Sequence, residues 1–192
     1  MAMNTGQRQL FNLGRFVLAY AQVEGYLRKS LYFHGQISET VSKIVLSGIR
    51  SEDAISYLKK LLKASNLDAQ ILTDYMEVFE HIGPIKEVRN LLLHSGIEVF
   101  GLGFVVTNAS KMLNPEDATI IPVSHKVFEQ MTADLDKMTA MLINNLLRLE
   151  APPSSDFALD RLARGPWLYI PPPQGGQSKQ KDRQGQSQGK KR

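Results

Sequence analysis

A mainly helical bundle carrying one small β insertion is the fold this sequence predicts. Apolar residues recur at spacings of three and four along several long segments, the period of one buried helix face. Between residues 97 and 123 that rhythm gives way to short runs rich in β-branched and aromatic residues. Glycine, proline and capping residues punctuate the joins.

The first helix is expected from about Leu10 to Phe33, with Leu13, Phe16, Tyr20, Val23, Leu27 and Leu31 on one face. Gly14 and Gly25 weaken it only slightly, at about 1 kcal/mol each against alanine, and Gly35 is the expected stop. Ser38 opens a shorter helix through Ile44, Val45 and Leu46 that ends near Gly48. Ser51 has the character of an N-cap, with Glu52 and Asp53 in the first turn where the helix dipole favours acids. That helix carries Ile55, Leu58, Leu61 and Leu62 and runs out near Ser65-Asn66.

Asp68 caps the next long segment, which reaches Ser95, with Gly96 as its stop. Gly83-Pro84 interrupts it and predicts a kink or brief break. Three short runs follow: residues 97–100, 103–107 and 118–123. The second and third pair as a hairpin across the loop from Asn108 to Asp117. The last long helix starts at Ser124 and continues to about Glu150, through Val127, Phe128, Met131, Leu135, Met138, Leu142, Leu146 and Leu149.

These elements divide the chain into a helical domain over 1–150, with its hairpin at about 103–123, a proline-rich packed segment over 151–173, and a tail over 174–192. Trp167 and Tyr169 are expected to anchor the middle segment on the bundle. The tail is Gln, Gly, Ser and Lys, a composition that cannot bury a core, and is expected to be disordered.

Of 192 residues, 43% are hydrophobic and 22% charged, ordinary for one globular domain. The net charge of +4 belongs to the tail, where six basic residues face the single acid Asp182 for a net +5; residues 1–173 therefore carry −1. Nucleic-acid contact by the domain would have to come from a local site. There is no cysteine, which excludes disulfides, thiolate metal sites and cysteine nucleophiles and fits a reducing cytosol. The first residues lack the layout of a signal peptide, and no window reaches the ~18 apolar residues of a membrane span. A cytoplasmic protein with no membrane partner is the expectation.

The four histidines, His34, His81, His94 and His125, include no i, i+4 pair. HExxH, EF-hand, phosphate-loop and GxSxG patterns are also missing. No metal or other cofactor is therefore expected. His34, His81 and His125 read as surface or capping residues.

What remains is the segment Arg89-Asn90-Leu91-Leu92-Leu93-His94. Five positions apart on one helix, Arg89 and His94 point ~140° from each other and would flank a cleft rather than stack. His94 falls in the last turn, where the negative end of the helix dipole favours imidazolium. Histidine suits general acid–base work near neutrality, and arginine offers a permanent charged fork for phosphate oxygens.

This segment resembles the R-x(4–6)-H signature, often opening Arg-Asn, of the HEPN superfamily. The likeness extends to a long first helix with an embedded acid, Glu24, and a motif at the end of a later long helix, together covering about residues 10–150. It implies a helical bundle that dimerises and cleaves RNA without metal. Arg89 would hold the scissile phosphate, His94 would move the proton, Asn90 would orient phosphate or the pair, and Glu24 would support Arg89 or His94. It also implies a second protomer completing the site, and a defence or toxin–antitoxin setting with an antitoxin or regulatory protein as partner. A non-catalytic dimerisation or regulatory module of the same fold is the alternative, with Arg89 and His94 as buried struts. A nucleotide sensor that binds phosphate through Arg89 is a third reading. Cleavage requires both residues to be reachable from solvent; sealing both inside one protomer would contradict it.

Overall fold

The computed structural model describes residues 4–94, 96–100, 103–107, 120–150 and 157–172. Among these, six helices and three strands follow in order: α1 (Thr5–His34), α2 (Glu39–Val45), α3 (Ser51–Ala64), α4 (Ala69–His94), β1 (Gly96–Phe100), β2 (Gly103–Thr107), β3 (Ile120–Ser124), α5 (His125–Glu150) and α6 (Phe157–Ala163). The fold is mainly α. The loop from Asn108 to Asp117, Pro152-Pro153 and the 174–192 tail, all given roles from sequence, lie outside the described residues.

Helix α1 begins about a turn and a half earlier than its apolar stripe. The Asn4 side chain accepts from the Gln7 N–H at 2.9 Å, and Gln7 Oε1 accepts from the Asn4 N–H at 3.0 Å. This reciprocal cap satisfies two end donors and sustains a polar first turn that periodicity cannot detect. At the other end Gly35 stops the helix, though its own φ is −77°. The left-handed residue is Gln36, at φ 51°. Glycine is needed at 35 for space: a Cβ there would meet the Leu31 carbonyl oxygen at 2.9 Å.

Ser38 caps α2 as expected, accepting from the Val41 N–H at 3.4 Å. Asp68 does the same for α4, with Oδ1 2.8 Å from the Gln70 nitrogen. Ser124 accepts from the Val127 N–H at 3.3 Å ahead of α5. Ser51 departs from expectation. Arg50 holds the cap position with no side-chain bond, and Ser51 is the first residue of α3, its hydroxyl 3.4 Å from the Tyr20 hydroxyl. A buried phenol competes for the serine and wins it.

Gly83-Pro84 brings no break, because α4 runs on through it with Pro84 inside the helix. Proline removes the hydrogen bond its nitrogen would give the carbonyl four residues back. The burial of Ile82, Ile85 and Val88 on either side holds the helix together across that gap. Gly96 is not a helix stop but the first residue of β1, which adds a third strand to the hairpin expected from sequence. The sheet is antiparallel in the order β1-β2-β3, with Glu98 opposite Val105 and Val105 opposite Pro122. Pro122 sits on an edge strand, where a missing donor is tolerated.

The core lies where α1 and α4 pack on α5 and α3 packs on α1. It is built from Phe16, Tyr20, Val23 and Leu27 of α1, Leu58 and Leu62 of α3, Tyr75, Ile82 and Ile85 of α4, and Phe128, Met131, Leu135, Met138 and Leu142 of α5. Each such side chain contributes about 1.5–3 kcal/mol on burial, before the entropy of ordering it. Helices α1 and α4 run antiparallel. His34 meets Tyr75 near one end of the pair and Tyr20 meets Arg89 near the other. Among the described residues, no helix is long and apolar enough to cross a membrane.

After α6, a helix the sequence pattern does not reveal, the chain lies across α4 and α5 as an arm. The Asp134 carboxylate accepts from the backbone N–H groups of Leu168 at 2.8 Å and Tyr169 at 2.7 Å. Lys137 Nζ donates to the Gly165 carbonyl at 2.6 Å and sits 3.8 Å from the centre of the Trp167 ring. His81, expected to be a surface or capping residue, instead stacks on Trp167. The two ring centres are 3.8 Å apart and the planes differ by 9°.

Candidate functional site at the end of the fourth helix

Arg89 is half-buried on the face of α4 turned toward α1 and α3. Its guanidinium carbon lies 5.3 Å from the centre of the Tyr20 ring, and Nη1 donates to Asn90 Oδ1 at 3.1 Å. Arginine stacks readily on aromatic faces because its planar cation is weakly hydrated and is drawn to the ring quadrupole. The ring is itself fixed, since Tyr20 is buried and its hydroxyl faces Ser51. Burial raises the Tyr20 phenol above its ordinary 10.0; Ser51 opposes that rise, Glu24 adds to it, and Arg89 opposes it. The phenol therefore stays neutral beneath the cation.

Among the described residues, no carboxylate forms an ion pair with Arg89. Glu52 is taken by Lys86, one turn before Arg89 on α4, at 2.9 Å, and that ammonium holds its carboxyl below the ordinary value. Glu24 is half-buried on α1, one turn beyond Tyr20, where the resemblance pairs it with Arg89 or His94. It forms no ion pair among the described residues. Two neutral groups, the Asn90 amide and the Tyr20 ring, hold Arg89 instead. Among the described residues its guanidinium fork, a group built for two parallel bonds to an oxyanion, is paired with no carboxylate.

His94 is exposed at the last residue of α4 and makes no hydrogen bond or ion pair to the described residues. Among those residues, nothing joins it to Arg89 within the protomer. The two flank one end of the helix, as their spacing requires, and neither is sealed in the core. Because α4 runs antiparallel to α1, its His94 end points toward the N-terminal half of α1. There Leu10, Phe11, Val17 and Leu18 are exposed, Leu18 at 62%, and Leu93 beside His94 is exposed at 52%. No group of three His, Asp or Glu side chains suited to a metal ion occurs among the described residues.

No family model, no curated protein and no solved structure matches this chain. What the site can do follows from its own chemistry.

Three members of this arrangement carry no functional signal in the sequence. Tyr20 reads there only as core, though its spacing of four from Glu24 puts both on one stripe of α1. Ser51 reads as a cap. Lys86 is silent, since its pairing with Glu52 links residues 34 apart in the chain.

Proposed function

We propose that this chain is a metal-independent endoribonuclease acting through Arg89 and His94, with Asn90 and Tyr20 holding the arginine. One observation carries the reading. A half-buried arginine is held by neutral partners, with no carboxylate pairing it among the described residues, on the same helix as an exposed histidine. Such a cation is preorganised for phosphate and for the charge that develops during its transfer. In the reaction, Arg89 binds the scissile phosphate. The ribose 2′-oxygen attacks phosphorus as its proton passes to an imidazole, the bond to the 5′-oxygen breaks, and a second proton donor protonates the leaving oxygen. A 2′,3′-cyclic phosphate and a 5′-hydroxyl result.

One protomer supplies one such histidine near Arg89. The exposed apolar face beside it (Leu10, Phe11, Val17, Leu18 and Leu93) suits a second copy of the chain, whose His94 would provide the other proton-transfer group. Large apolar side chains exposed in one region are a usual sign of association. Glu24 is retained as a supporting residue that would engage only in the assembled site. The reading places the protein in the cytoplasm with RNA, in a defence or toxin–antitoxin setting with an antitoxin or regulatory partner.

The test is incubation of the purified chain with single-stranded and structured RNAs in EDTA, followed by analysis of the new ends. Cyclic phosphate and 5′-hydroxyl termini are expected. A second reading has an observation of its own: the Arg89 contact with Tyr20 also serves as a strut between α1 and α4, as a non-catalytic dimerisation or regulatory module would need. Failure to cut any RNA, with the dimer intact, selects that reading.

A further inference from the structure

A second region of the bundle has the make-up of a ligand site and plays no part in the reading above. Gly25, Arg28, Lys29 and Tyr32 of α1 recur at three and four residues and so share one face. Glu39, Ser42 and Lys43 of α2 and its C-cap Leu46 repeat that spacing. The two faces enclose an open groove of about 400 Å³, within the usual size range of small-molecule sites.

Three cations line this groove against one carboxylate. Glu39 is bound to Lys43 at 2.8 Å and also feels the charge of Lys29. Its carboxylate occupies the place where an incoming anion would meet the two lysines. That pair is exposed on both sides, so it exchanges readily for a stronger one. Arg28 is half-buried and has no ion pair among the described residues. Tyr32 and Leu46 give the remaining wall an aromatic and apolar character suited to a flat ligand body.

Gly25 adds a separate observation. It stands in the middle of a 30-residue helix, where glycine is the poorest residue after proline. Packing does not require it, because a Cβ at that position meets nothing within 4 Å. The space it leaves open belongs to the groove.

We propose that this groove binds a nucleoside phosphate, the phosphate on Arg28, Lys29 and Lys43 and the base or ribose against Tyr32 and Leu46. Inorganic phosphate alone would leave the apolar wall unused. The same chemistry is presented by a free nucleotide and by one nucleotide of an RNA strand.

Calorimetric titration of the full-length protein with inorganic phosphate, with nucleoside monophosphates and with a 2′-O-methyl oligoribonucleotide tests the assignment. The methylated oligomer cannot be cut through its 2′-oxygen, so its binding is read without turnover, and repeating its titration in an Arg89→Ala background separates this groove from the site on α4. Arg28→Ala should weaken nucleotide binding roughly tenfold or more. Gly25→Leu fills the groove and should abolish binding while melting no lower than wild type, which separates occlusion from misfolding. Saturable mononucleotide binding lost in both variants identifies a free nucleotide as the ligand; oligomer binding alone, lost in both, identifies a strand. Binding unchanged by both variants, equal affinity for inorganic phosphate, or no saturable binding overturns the proposal.

Discussion

His34 lies half-buried where α1 ends, with Nε2 3.1 Å from the Tyr75 hydroxyl and its ring edge-on to Phe33 and Tyr75. Burial lowers its imidazole below the ordinary 6.5. As pH falls through 6.5 the unfolded chain takes up a proton that the native chain refuses until lower pH. Stability is therefore whole above that value and declines across the interval beneath it. His34→Gln removes the titration, so its urea midpoint should change less than that of wild type between about pH 7.5 and about pH 5.5; an equal decline in both would contradict this. Two residues on, Gln36 holds a left-handed conformation that costs a non-glycine residue about 1 kcal/mol. Gln36→Gly should thus raise the unfolding free energy by up to about that amount, read from the same denaturation curves. At this scale the sequence marked the stop itself, since Gly35 is the C-cap of α1, but not the geometry around it. Gly35 was legible as a stop, but a positive φ at Gln36 and the close approach at Gly35 depend on how the chain turns after the helix.

The C-terminal arm shows what an element owes to residues distant in sequence. Its anchor, the Trp-Leu-Tyr patch, was legible from composition, because large apolar residues between prolines need a surface to cover. Its receptor was not. Asp134, Lys137 and His81 precede the arm by 28 residues or more and reach it only through the packing of α4 on α5. Asp134→Ala removes the acceptor of two backbone bonds of charge-assisted type, each worth about 1.5–3 kcal/mol. The arm should then detach in part while the bundle stays folded. Trp167 is the only tryptophan, so its emission reports the arm alone; the variant should show a red shift and greater access to quencher, with helical circular dichroism retained. Unchanged emission would mean that Trp167 is held by stacking on His81 without the carboxylate. Helices α1, α4 and α5 were legible because buried stripes several turns long outweigh local noise. Helix α6, seven residues long between proline-rich stretches, offers too few turns for a periodic signal. The β1 pairing was missed because register is fixed by partners rather than by the strand itself.

Over the whole molecule, charge and apolar surface set what the protein can assemble with. If the face around Leu18 joins two copies, Leu18→Asp should convert a dimer to a folded monomer in sedimentation and reduce RNA cleavage with it. A monomeric wild type that cuts RNA at full rate would remove the second copy from the site. Residues 174–192 carry +5 in an otherwise near-neutral chain. Their deletion should flatten the dependence of RNA affinity on salt, by about 0.7 in log–log slope for each phosphate the tail would otherwise engage. The Arg89–His94 pair was legible because both ends of the motif stand on one helix. Its setting on Tyr20, and the diversion of Glu52 to Lys86, required three helices to be brought together. The most direct test compares the initial rate of RNA cleavage in EDTA for wild type, Arg89→Ala and His94→Ala, each checked for native helicity. Wild type should cut, and each variant should lose roughly a hundredfold or more. Cleavage at the wild-type rate in either variant would contradict the assignment of Arg89 and His94 to the reaction.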